Sequence, residues 1–414
     1  MKDYDYFNTL LVQNIGSKVR AVAPTIASSA AFGYESAEEA EAIFMGQVNN
    51  PLYARMGNPT TSKFETIVAK IEGGVASVAT SSGMGALAMV MTAYLQANDK
   101  VLCIGGFFGG TYTLVNETMR RFGIKSDFCK TDDFDKIEAL LKEGIQMVLI
   151  ETVGNPSLEL PNLPKVIELC NQYNTLLVVD NTVTPLTIRP LEMGADIVIH
   201  STTKAMSGHS ASLGGIAVFR TVKEQDKLRT DKYKTLHPII KKMGKKAMVA
   251  IAKKRGMRDM GMSGNAFGSF LTMLGLETLA LRLERVNHSI PIIATILEEN
   301  LPSHIKVSHP SLASHPNHQR YISEFNRACG PIITLDCGNK EQAFQLLNNL
   351  KLITQTANIG DNRTLALHMA STIYRDFDRE TQNYLGVTDG LIRISIGLEE
   401  PKVIVEDFLQ AVKN

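Results

Sequence analysis

A regular alternation of short apolar runs and longer amphipathic segments, between residues 61 and 220, constrains the fold of this chain more than any other feature. The apolar runs have the length of buried strands, and the segments between them have the spacing of covering helices. Because a parallel connection has to cross over the sheet, this alternation predicts an α/β fold with a mainly parallel sheet. The predicted strands are 75–80, 101–105, 124–129, 146–151, 176–180, 196–200 and 215–219, and the helices between them include 111–122, 135–143 and 163–173.

The flanking regions have different patterns. Residues 1–60 are irregular apart from a predicted helix at 36–45, and read as an arm. A long helical pattern at 266–300 is expected to break near Pro291, because a proline inside a helix removes a hydrogen bond. Strands at 305–308, 331–337, 353–356 and 392–397 and helices at 340–350 and 402–412 follow it as an α+β layer. We therefore predict an arm (1–60), a large domain (61–262) and a smaller C-terminal α+β domain that includes the linking helix (263–414).

Composition excludes several classes of function. The chain has 414 residues and a formal net charge of +1, so neither nucleic acid nor a membrane surface is expected as its main partner. Its five cysteines are widely spaced, which argues against a disulfide framework and against a cysteine metal site, and we expect no metal. The N-terminus lacks the pattern of a signal peptide and no apolar run reaches spanning length, so the expected location is the cytoplasm.

The segment from 221 to 262 is the most basic part of the chain. A run of lysines on a helix most simply forms a solvated face, and this is the predicted structure. A docking patch for an acidic partner, or a funnel for anionic substrates, stays open as the alternative.

The sequence around Lys204 carries the clearest chemical signal. A predicted buried strand at 196–200 ends in Ser201 and Thr203 and then in Lys204. Ligands of α/β folds bind at the carboxyl ends of strands, and a lysine in a partly apolar pocket loses its proton easily enough to attack a carbonyl group. We interpret Lys204 as a reactive amine and the two hydroxyl residues as phosphate ligands. A surface lysine in a polar turn is the alternative for this segment taken alone.

Other strand ends carry matching features. Gly83 and Met84 open an apolar helix after the strand at 75–80, and such a turn offers backbone N–H groups to a phosphate, although a tight connection would look the same. Asp180 closes a buried strand, where a carboxylate needs a cation or a donor; a cap on the next turn is the alternative. Asn155 follows the strand at 146–151.

The glycine-rich segment 105–110 follows another strand, but its glycine spacing is not that of a dinucleotide site. We predict instead that Phe107 packs in the core and that Phe108 presents a flat face to a planar ligand. Elsewhere, Tyr53 and Arg55 precede a Gly-Asn-Pro turn and are candidates for binding an anion, with a solvated turn as the alternative. Arg393 lies between isoleucines in a predicted strand and therefore needs an anionic partner.

Together these residues fit one cofactor, pyridoxal 5'-phosphate. Lys204 would bind its aldehyde, Asp180 would keep its pyridine nitrogen protonated, and Phe108 would stack on its ring. Gly83, Met84, Ser201 and Thr203, with Tyr53 and Arg55, would hold its phosphate. The chain also resembles the Cys/Met-metabolism family of pyridoxal-phosphate enzymes, through Tyr-x-Arg-x-x-Asn-Pro-Thr at 53–60, Ser-Ser-Gly-Met at 81–84, Asn-Pro at 155–156, Val-Asp-Asn-Thr at 179–182, Ser-x-Thr-Lys at 201–204, Gly-His at 208–209 and Leu-Ile-Arg-Ile-Ser-Ile-Gly at 391–397.

The resemblance implies the type I pyridoxal-phosphate-dependent transferase fold. It implies that Tyr53, also a catalytic candidate, and Arg55 reach the phosphate in the neighbouring subunit. The active unit would then be a dimer, paired into a homotetramer. It further implies that Asn155 lies near the phenolate oxygen of the cofactor. Arg393 and the region of Asn358 would bind the substrate carboxylate.

Within the family, the chain most resembles the O-acetylhomoserine sulfhydrylases, through Arg258–Gly261, the basic segment before it, and Asn358–Asp361. The expected reaction is a γ-replacement, in which sulfide displaces acetate from O-acetyl-L-homoserine and gives homocysteine, as in methionine biosynthesis. The alternatives are an O-succinylhomoserine sulfhydrylase or cystathionine γ-synthase, and then a methionine or cystathionine γ-lyase. The sequence leaves open whether sulfur arrives as sulfide, as a thiol or on a partner protein.

One departure from the family pattern bears on this choice. Most members have a tyrosine where this chain has Phe108, and its hydroxyl is thought to help protonate the leaving group. Phenylalanine keeps the stacking surface but has no proton to give. This disfavours a lyase of thioethers, because a thiolate leaves poorly, and it is compatible with a carboxylate leaving group.

Overall fold

The computed structural model describes residues 4–12, 21–48, 50–222 and 237–413. Its strands are β1 (Ala76–Thr80), β2 (Lys100–Ile104), β3 (Lys125–Cys129), β4 (Met147–Glu151), β5 (Leu176–Asp180), β6 (Ile197–His200), β7 (Gly215–Phe219), β8 (Lys306–Ser308), β9 (Ile332–Asp336), β10 (Thr354–Gln355), β11 (Leu365–His368) and β12 (Leu391–Ser395). Its α-helices are α1 (Tyr4–Val12), α2 (Ala37–Phe44), α3 (Pro59–Ile71), α4 (Gly83–Tyr94), α5 (Gly109–Thr113), α6 (Phe134–Lys142), α7 (Leu163–Gln172), α8 (Pro190–Met193), α9 (His237–Met243), α10 (Ala247–Ile251), α11 (Ala266–Leu276), α12 (Leu279–Asn300), α13 (His318–Ser323), α14 (Lys340–Asn349), α15 (Arg379–Tyr384) and α16 (Pro401–Lys413).

The seven predicted strands of the large sheet are all present, in the order β1-β7-β6-β5-β4-β2-β3. Strands β3, β2, β4, β5 and β6 pair in parallel, and β7 is antiparallel to both of its neighbours. Strand β1 therefore runs in the same direction as the parallel strands. The prediction of a mainly parallel sheet is confirmed, and the carboxyl ends of six strands lie along one edge of it.

Side chains that accept backbone N–H groups define where several helices begin. Asn58 Oδ1 accepts the N–H of Thr60 (2.9 Å), and Pro59 occupies the first turn of α3, where a missing N–H costs nothing. Ser82 Oγ accepts the N–H of Gly85 (3.0 Å) at the start of α4. The helix predicted at 36–45 is α2, and the side chain of Ser36 caps it.

A second sheet has the order β10-β11-β12-β9-β8. Four of its strands were predicted, but β11 (Leu365–His368) was not. Three of its four residues are leucine or alanine, which favour helix by intrinsic preference. They form a strand because β10 and β12 pair on both sides, so tertiary pairing overrides local propensity.

The predicted helix break near Pro291 is wrong. Pro291 lies inside the continuous helix α12, whereas the break separates α11 from α12, with a bend of 56°. The buried guanidinium of Arg282 compensates for this break, because its Nη2 donates to the carbonyl oxygen of Gly275 (2.7 Å), at the end of α11. In addition, a Cβ on Gly275 would lie 2.2 Å from the carbonyl oxygen of Ser207, so α11 packs directly on the loop after Lys204.

Among the described residues, no single helix is both long and apolar enough to cross a bilayer. Helices α11 and α12 reach that length and composition only as a bent pair.

The large sheet is covered by apolar clusters on both faces, and a third apolar cluster lies between the small sheet and the helices α12, α14 and α16. The boundaries at 60/61 and 262/263 stay predictions.

Residues 223–236 of the basic segment lie outside the described residues. After them, Lys241, Lys242, Lys245 and Lys246 are exposed, as predicted for a solvated face. Lys253 and Arg255 instead contact the body of the protein, at Glu65 and at the carbonyl oxygen of Ala93.

Asp407 generates a first prediction. Its two carboxylate oxygens accept the backbone N–H groups of Lys351, Leu352 and Ile353, just before β10, at 2.9 to 3.1 Å. Replacing Asp407 with Ala leaves these donors without their acceptor, and we expect the free energy of unfolding to fall by about 3 kcal/mol.

The measurement is urea denaturation followed by circular dichroism. Glu406→Ala is the matched control, since it removes the same charge from the same helix at an exposed position and should change the free energy of unfolding by less than about 0.5 kcal/mol. Equal effects of the two substitutions would contradict the capping role of Asp407.

Candidate active site

Polar side chains at the carboxyl edge of the large sheet meet in one cavity of about 200 Å³. Parallel neighbours bring their last residues together, so Glu151 at the end of β4 is directly paired with Asp180 at the end of β5. Most of the site residues predicted from the sequence line this cavity: Gly83, Met84, Phe108, Asn155, Asp180, Ser201, Thr203, Lys204 and Arg393.

The start of α4 forms one end of the cavity. The N–H of Gly85 bonds to Ser82 Oγ and the N–H of Ala86 to the Ser82 carbonyl oxygen. The N–H groups of Gly83 and Met84 thus have no acceptor among the described residues, and together with the helix dipole they suit an anion. A Cβ on Gly83 would lie 2.6 Å from Cβ of Ser201, so only glycine permits this close approach of α4 to the loop after β6.

The two predicted hydroxyl ligands differ in their partners. Ser201 is anchored through its backbone, since its N–H donates to Thr182 Oγ1 (2.8 Å). The hydroxyl of Thr203 donates to the carbonyl oxygen of Gly214 (3.2 Å) and accepts the Gly214 N–H (3.0 Å). Thr203 therefore lines the cavity while it holds the loop after β6 against the start of β7.

Lys204 is largely buried. Burial and, next, the positive charge of Arg393 lower the pKa of its amine to about 8, because both disfavour the ammonium form. Its Nζ donates to Asn358 Oδ1 at 2.6 Å. At pH 7 roughly a tenth of the amine is therefore neutral, far more than for an ordinary lysine, and the neutral form is the one that a nucleophilic lysine requires.

Asp180 closes β5 beside this lysine. Burial raises the pKa of its carboxyl group, and hydrogen bonds from Thr182 and the neighbouring His200 act in the opposite direction. Its Oδ1 accepts the N–H of Thr182 at 2.9 Å, so it does cap the following turn. The capping interpretation and the ligand interpretation are both compatible with this geometry, because Asp180 also lines the cavity.

Glu151 is a cavity residue that the sequence reasoning missed. It is buried, and burial, followed by repulsion from Asp180, raises the pKa of its carboxyl group well above the usual range. Its Oε1 accepts the backbone N–H of Phe108 at 2.9 Å. The strand-end rule that identified Asp180 applies equally to the end of β4, and would have found Glu151.

The two adjacent phenylalanines separate as predicted. Phe107 is completely buried in the core, whereas Phe108 is partly exposed and lines the cavity. Its backbone N–H is held by Glu151, and its ring packs so closely that a Cβ on Gly110 would lie 2.7 Å from it. Both contacts fix the position of the ring.

Arg393 lies on β12 of the small sheet and reaches into the cavity from the opposite side. It is buried, and burial lowers the pKa of its guanidinium to about 10, with the nearby Tyr374 acting in the opposite direction. Nη1 donates to Asn155 Oδ1 (3.1 Å) and Nη2 to the carbonyl oxygen of Asn358 (3.3 Å). It forms no ion pair within the described ranges, so its charge is available for an anionic ligand.

The structure does not bring Tyr53 and Arg55 to this cavity. Tyr53 is 48% exposed and Arg55 stacks over its ring, with 5.7 Å between the guanidinium carbon and the ring centroid. Arg55 also donates to the carbonyl oxygen of Arg258. Their role at a neighbouring subunit stays a prediction.

These residues fit pyridoxal phosphate. The unpaired N–H groups at the start of α4 and the hydroxyl groups of Ser201 and Thr203 would bind its phosphate, and Lys204 its aldehyde. Asp180 would face its pyridine nitrogen and Phe108 its ring. The described residues contain no cluster of histidine, cysteine, aspartate or glutamate that could hold a metal ion.

Comparisons with known proteins agree with this chemistry. The sequence model of the family described as "Cys/Met metabolism PLP-dependent enzyme" matches residues 8–413. Homocysteine synthase of Schizosaccharomyces pombe is 32% identical over 99% of this chain and 98% of its own length. The L-methionine gamma-lyase of Fusobacterium nucleatum subsp. polymorphum is also 32% identical, over 95% of this chain and 94% of its own length.

A solved structure shows a related fold together with the cofactor. It is a protein of Campylobacter jejuni, described as an O-acetylhomoserine (thiol)-lyase, with N'-pyridoxyl-lysine-5'-monophosphate at a lysine position. It matches with a TM-score of 0.92 and 26% identity, over 99% of this chain and 100% of that chain.

The close packing at Gly215 provides a second prediction. A Cβ at this position, the start of β7, would lie 2.1 Å from the carbonyl oxygen of Ser82 and 2.7 Å from the Gly83 nitrogen. Gly215→Ala must therefore displace the start of α4, and we expect it to weaken pyridoxal-phosphate binding by roughly tenfold or more, because the backbone donors move.

Titration of the cofactor-free chain with pyridoxal phosphate, followed by absorbance, measures this change. Gly33→Ala serves as the control, since a Cβ on Gly33 would meet nothing within 4 Å. An unchanged dissociation constant for Gly215→Ala would show that the start of α4 does not bind the phosphate.

Proposed function

The chain belongs to the Cys/Met metabolism family of pyridoxal-phosphate-dependent enzymes, and from this premise we propose that it is an O-acetylhomoserine sulfhydrylase. The reaction would replace the acetate of O-acetyl-L-homoserine with sulfide, and so give homocysteine and acetate. The name of the Schizosaccharomyces pombe relative, homocysteine synthase, supports the product. The name of the Campylobacter jejuni structure supports the substrate.

Bound pyridoxal phosphate supplies a positively charged ring that withdraws electrons from the substrate carbons. The rest of the chemistry falls to this chain. Arg393, which has no ion pair within the described ranges, would bind the substrate carboxylate, and Asn155 would hold the guanidinium in place (3.1 Å). Asp180 would keep the proton on the pyridine nitrogen. Lys204 would carry protons between Cα and Cβ, because its pKa of about 8 lets its amine both accept and return a proton near neutral pH.

The presence of a phenylalanine at position 108 favours an ester over a thioether as the substrate. The aromatic side chain at this end of the cavity has no proton to donate to a leaving group. Acetate is a weak base and leaves without that help, whereas a thiolate gains much more from protonation. The alternative function within the family is that of a γ-lyase, which would release 2-oxobutanoate and ammonia. An L-methionine gamma-lyase is as similar to this chain, at 32% identity, as the homocysteine synthase is.

We propose the following setting for the enzyme. Its five cysteines are free and buried, which is compatible with the cytoplasm. The assembly would be a homotetramer made of two dimers, and each dimer would share its active sites through Tyr53 and Arg55. Succinyl esters of homoserine are the alternative to acetyl esters as substrate. A thiol, or a protein that carries sulfur, is the alternative to free sulfide as the sulfur donor.

One assay separates replacement from elimination. We expect O-acetylhomoserine to give homocysteine when sulfide is present and little 2-oxobutanoate when it is absent. Thiol and keto-acid products are both measured, with O-succinylhomoserine as a parallel substrate. Keto acid formed at the same rate with and without sulfide would identify a γ-lyase and refute the proposal.

A substitution at Phe108 tests the explanation for that preference. Phe108→Tyr restores a hydroxyl group beside the leaving group, and we expect it to raise keto-acid release from cystathionine by roughly tenfold or more. The rate with O-acetylhomoserine should change much less. If thioether cleavage does not increase, the missing hydroxyl is not what limits the leaving group.

Mixed dimers test the shared site. Lys204→Ala should abolish the absorbance of the lysine-bound cofactor, and Arg55→Ala should weaken phosphate binding. When the two variants are unfolded, mixed and refolded together, each mixed dimer would contain one intact site, with Lys204 from the Arg55→Ala chain and Arg55 from the Lys204→Ala chain. Its other site would lack both side chains. Random mixing should then restore about a quarter of the wild-type activity. If no activity were recovered, Arg55 would act in the active site of its own chain and not in that of its neighbour.

A further inference from the structure

A chain of hydrogen bonds connects the amine of Lys204 to a buried carboxylate outside the cavity. Lys204 Nζ donates to Asn358 Oδ1 at 2.6 Å. Asn358 Nδ2 donates to Ser210 Oγ at 2.9 Å, and Ser210 Oγ donates to Asp361 Oδ2 at 2.6 Å. The four residues come from two loops, one after β6 and one between β10 and β11. We call this set the lysine relay.

The direction of the lysine relay is set at its far end. An ionised carboxylate can only accept hydrogen bonds, so the single hydroxyl proton of Ser210 goes to Asp361. Ser210 Oγ must then accept from the NH₂ group of Asn358. The two ends of an amide side chain are distinguished by their partners, and here they turn the carbonyl oxygen of Asn358 toward Lys204.

Asp361 is held firmly enough to impose this direction. It is only 4% exposed, and its other oxygen, Oδ1, accepts the backbone N–H of Arg363 (2.9 Å) and the Arg363 guanidinium (3.0 Å). The buried Arg282 adds a favourable charge interaction. The two loops are also joined through the backbone, since the N–H of Asn362 donates to the carbonyl oxygen of Gly208 (2.9 Å).

Several charged groups face the same amine. Arg393 opposes the ammonium form of Lys204 from β12, and the carboxyl groups of Asp180 and Glu151 line the cavity from the ends of β5 and β4. A carbonyl oxygen at 2.6 Å favours the ammonium form, so Asn358 acts against Arg393. Its backbone oxygen also accepts from Arg393 Nη2, so one residue contacts both the amine and the guanidinium.

We propose that Asp361 and Ser210 are positioning residues, which orient the Asn358 amide so that its carbonyl oxygen holds the Lys204 amine whenever that amine is free of the cofactor. The inference rests on the proposed function, which makes Lys204 the group that carries protons. It adds a device that keeps the amine in place between the substrate carbons and the carboxylate-binding arginine.

Asp361→Asn should reverse the lysine relay. The two donors of Arg363 keep the amide oxygen of the new side chain at their end, so its NH₂ group faces Ser210. Ser210 then donates to Asn358, whose NH₂ group turns toward Lys204. An amide donor opposes an ammonium group, so we expect the pKa of Lys204 to fall by about one unit.

The measurement is competitive acetylation of the full-length, cofactor-free chain across a range of pH, with the labelling of Lys204 read by mass spectrometry. Circular dichroism confirms that each variant is folded. Arg363→Gln is the matched control: Arg363 is exposed, and its loss leaves the Ser210–Asp361 bond in place, so the midpoint should stay at the wild-type value.

Ser210→Gly distinguishes the relay from a simple loss of charge. Ser210 has a φ of 53°, which glycine adopts without strain, so this variant removes the hydroxymethyl side chain without straining the backbone. In the Ser210→Gly background, Asp361→Asn should no longer change the pKa of Lys204, because the connection is cut. A shift that persists there, or an unshifted midpoint in Asp361→Asn itself, would overturn the proposal.

The failure of the proposed function would look different. If Lys204→Ala kept the absorbance of a lysine-bound cofactor, Lys204 would not be the cofactor lysine, whatever the acetylation of the relay variants showed. The acetylation midpoints report on Lys204 without cofactor or substrate, so they test the relay separately.

Discussion

The parallel register of β4, β5 and β6 is the constraint on which the site depends. Parallel pairing ends these strands at the same edge, so Glu151 and Asp180 lie side by side and the Lys204 loop begins next to them. Their proximity disfavours ionisation, since burial raises the pKa of both carboxyl groups and repulsion adds to it at Glu151. Such an arrangement is costly for stability and useful for chemistry, because a positively charged ligand relieves it.

The small sheet and its loops supply the remaining groups that surround Lys204. Arg393 lines the cavity from β12, and Asn358, in the loop after β10, accepts a hydrogen bond from the Lys204 amine, so both act on Lys204 from the side of the small sheet. Burial and positive charge lower the pKa of Lys204. The Asn358 carbonyl oxygen, which accepts a hydrogen bond from the amine, favours its charged form. The state of the amine is thus a balance between groups that are far apart in the sequence.

Most of the large sheet was predictable from the sequence, and most of the predicted site residues line the cavity. Except for β3 (Lys125–Cys129), strands β1 to β7 are short and mostly apolar. Asp180 ends one of them and Lys204 follows another, at positions where ligands bind. The errors have local causes. Strand β11 consists mainly of leucine and alanine, which favour helix. The helix break depends on Arg282, which caps Gly275 from seven positions further along the chain.

The sequence alone determined the order of strands and helices and the residue types at the strand ends, because periodicity and residue chemistry are local properties. It also determined the family, through motifs spread along the chain. Only the tertiary structure decided which of these residues face one another. The contact of Lys204 with Asn358, the link through Ser210 to Asp361, and the place of Glu151 behind Phe108 join segments 43 to 154 positions apart, and no local pattern records such distances.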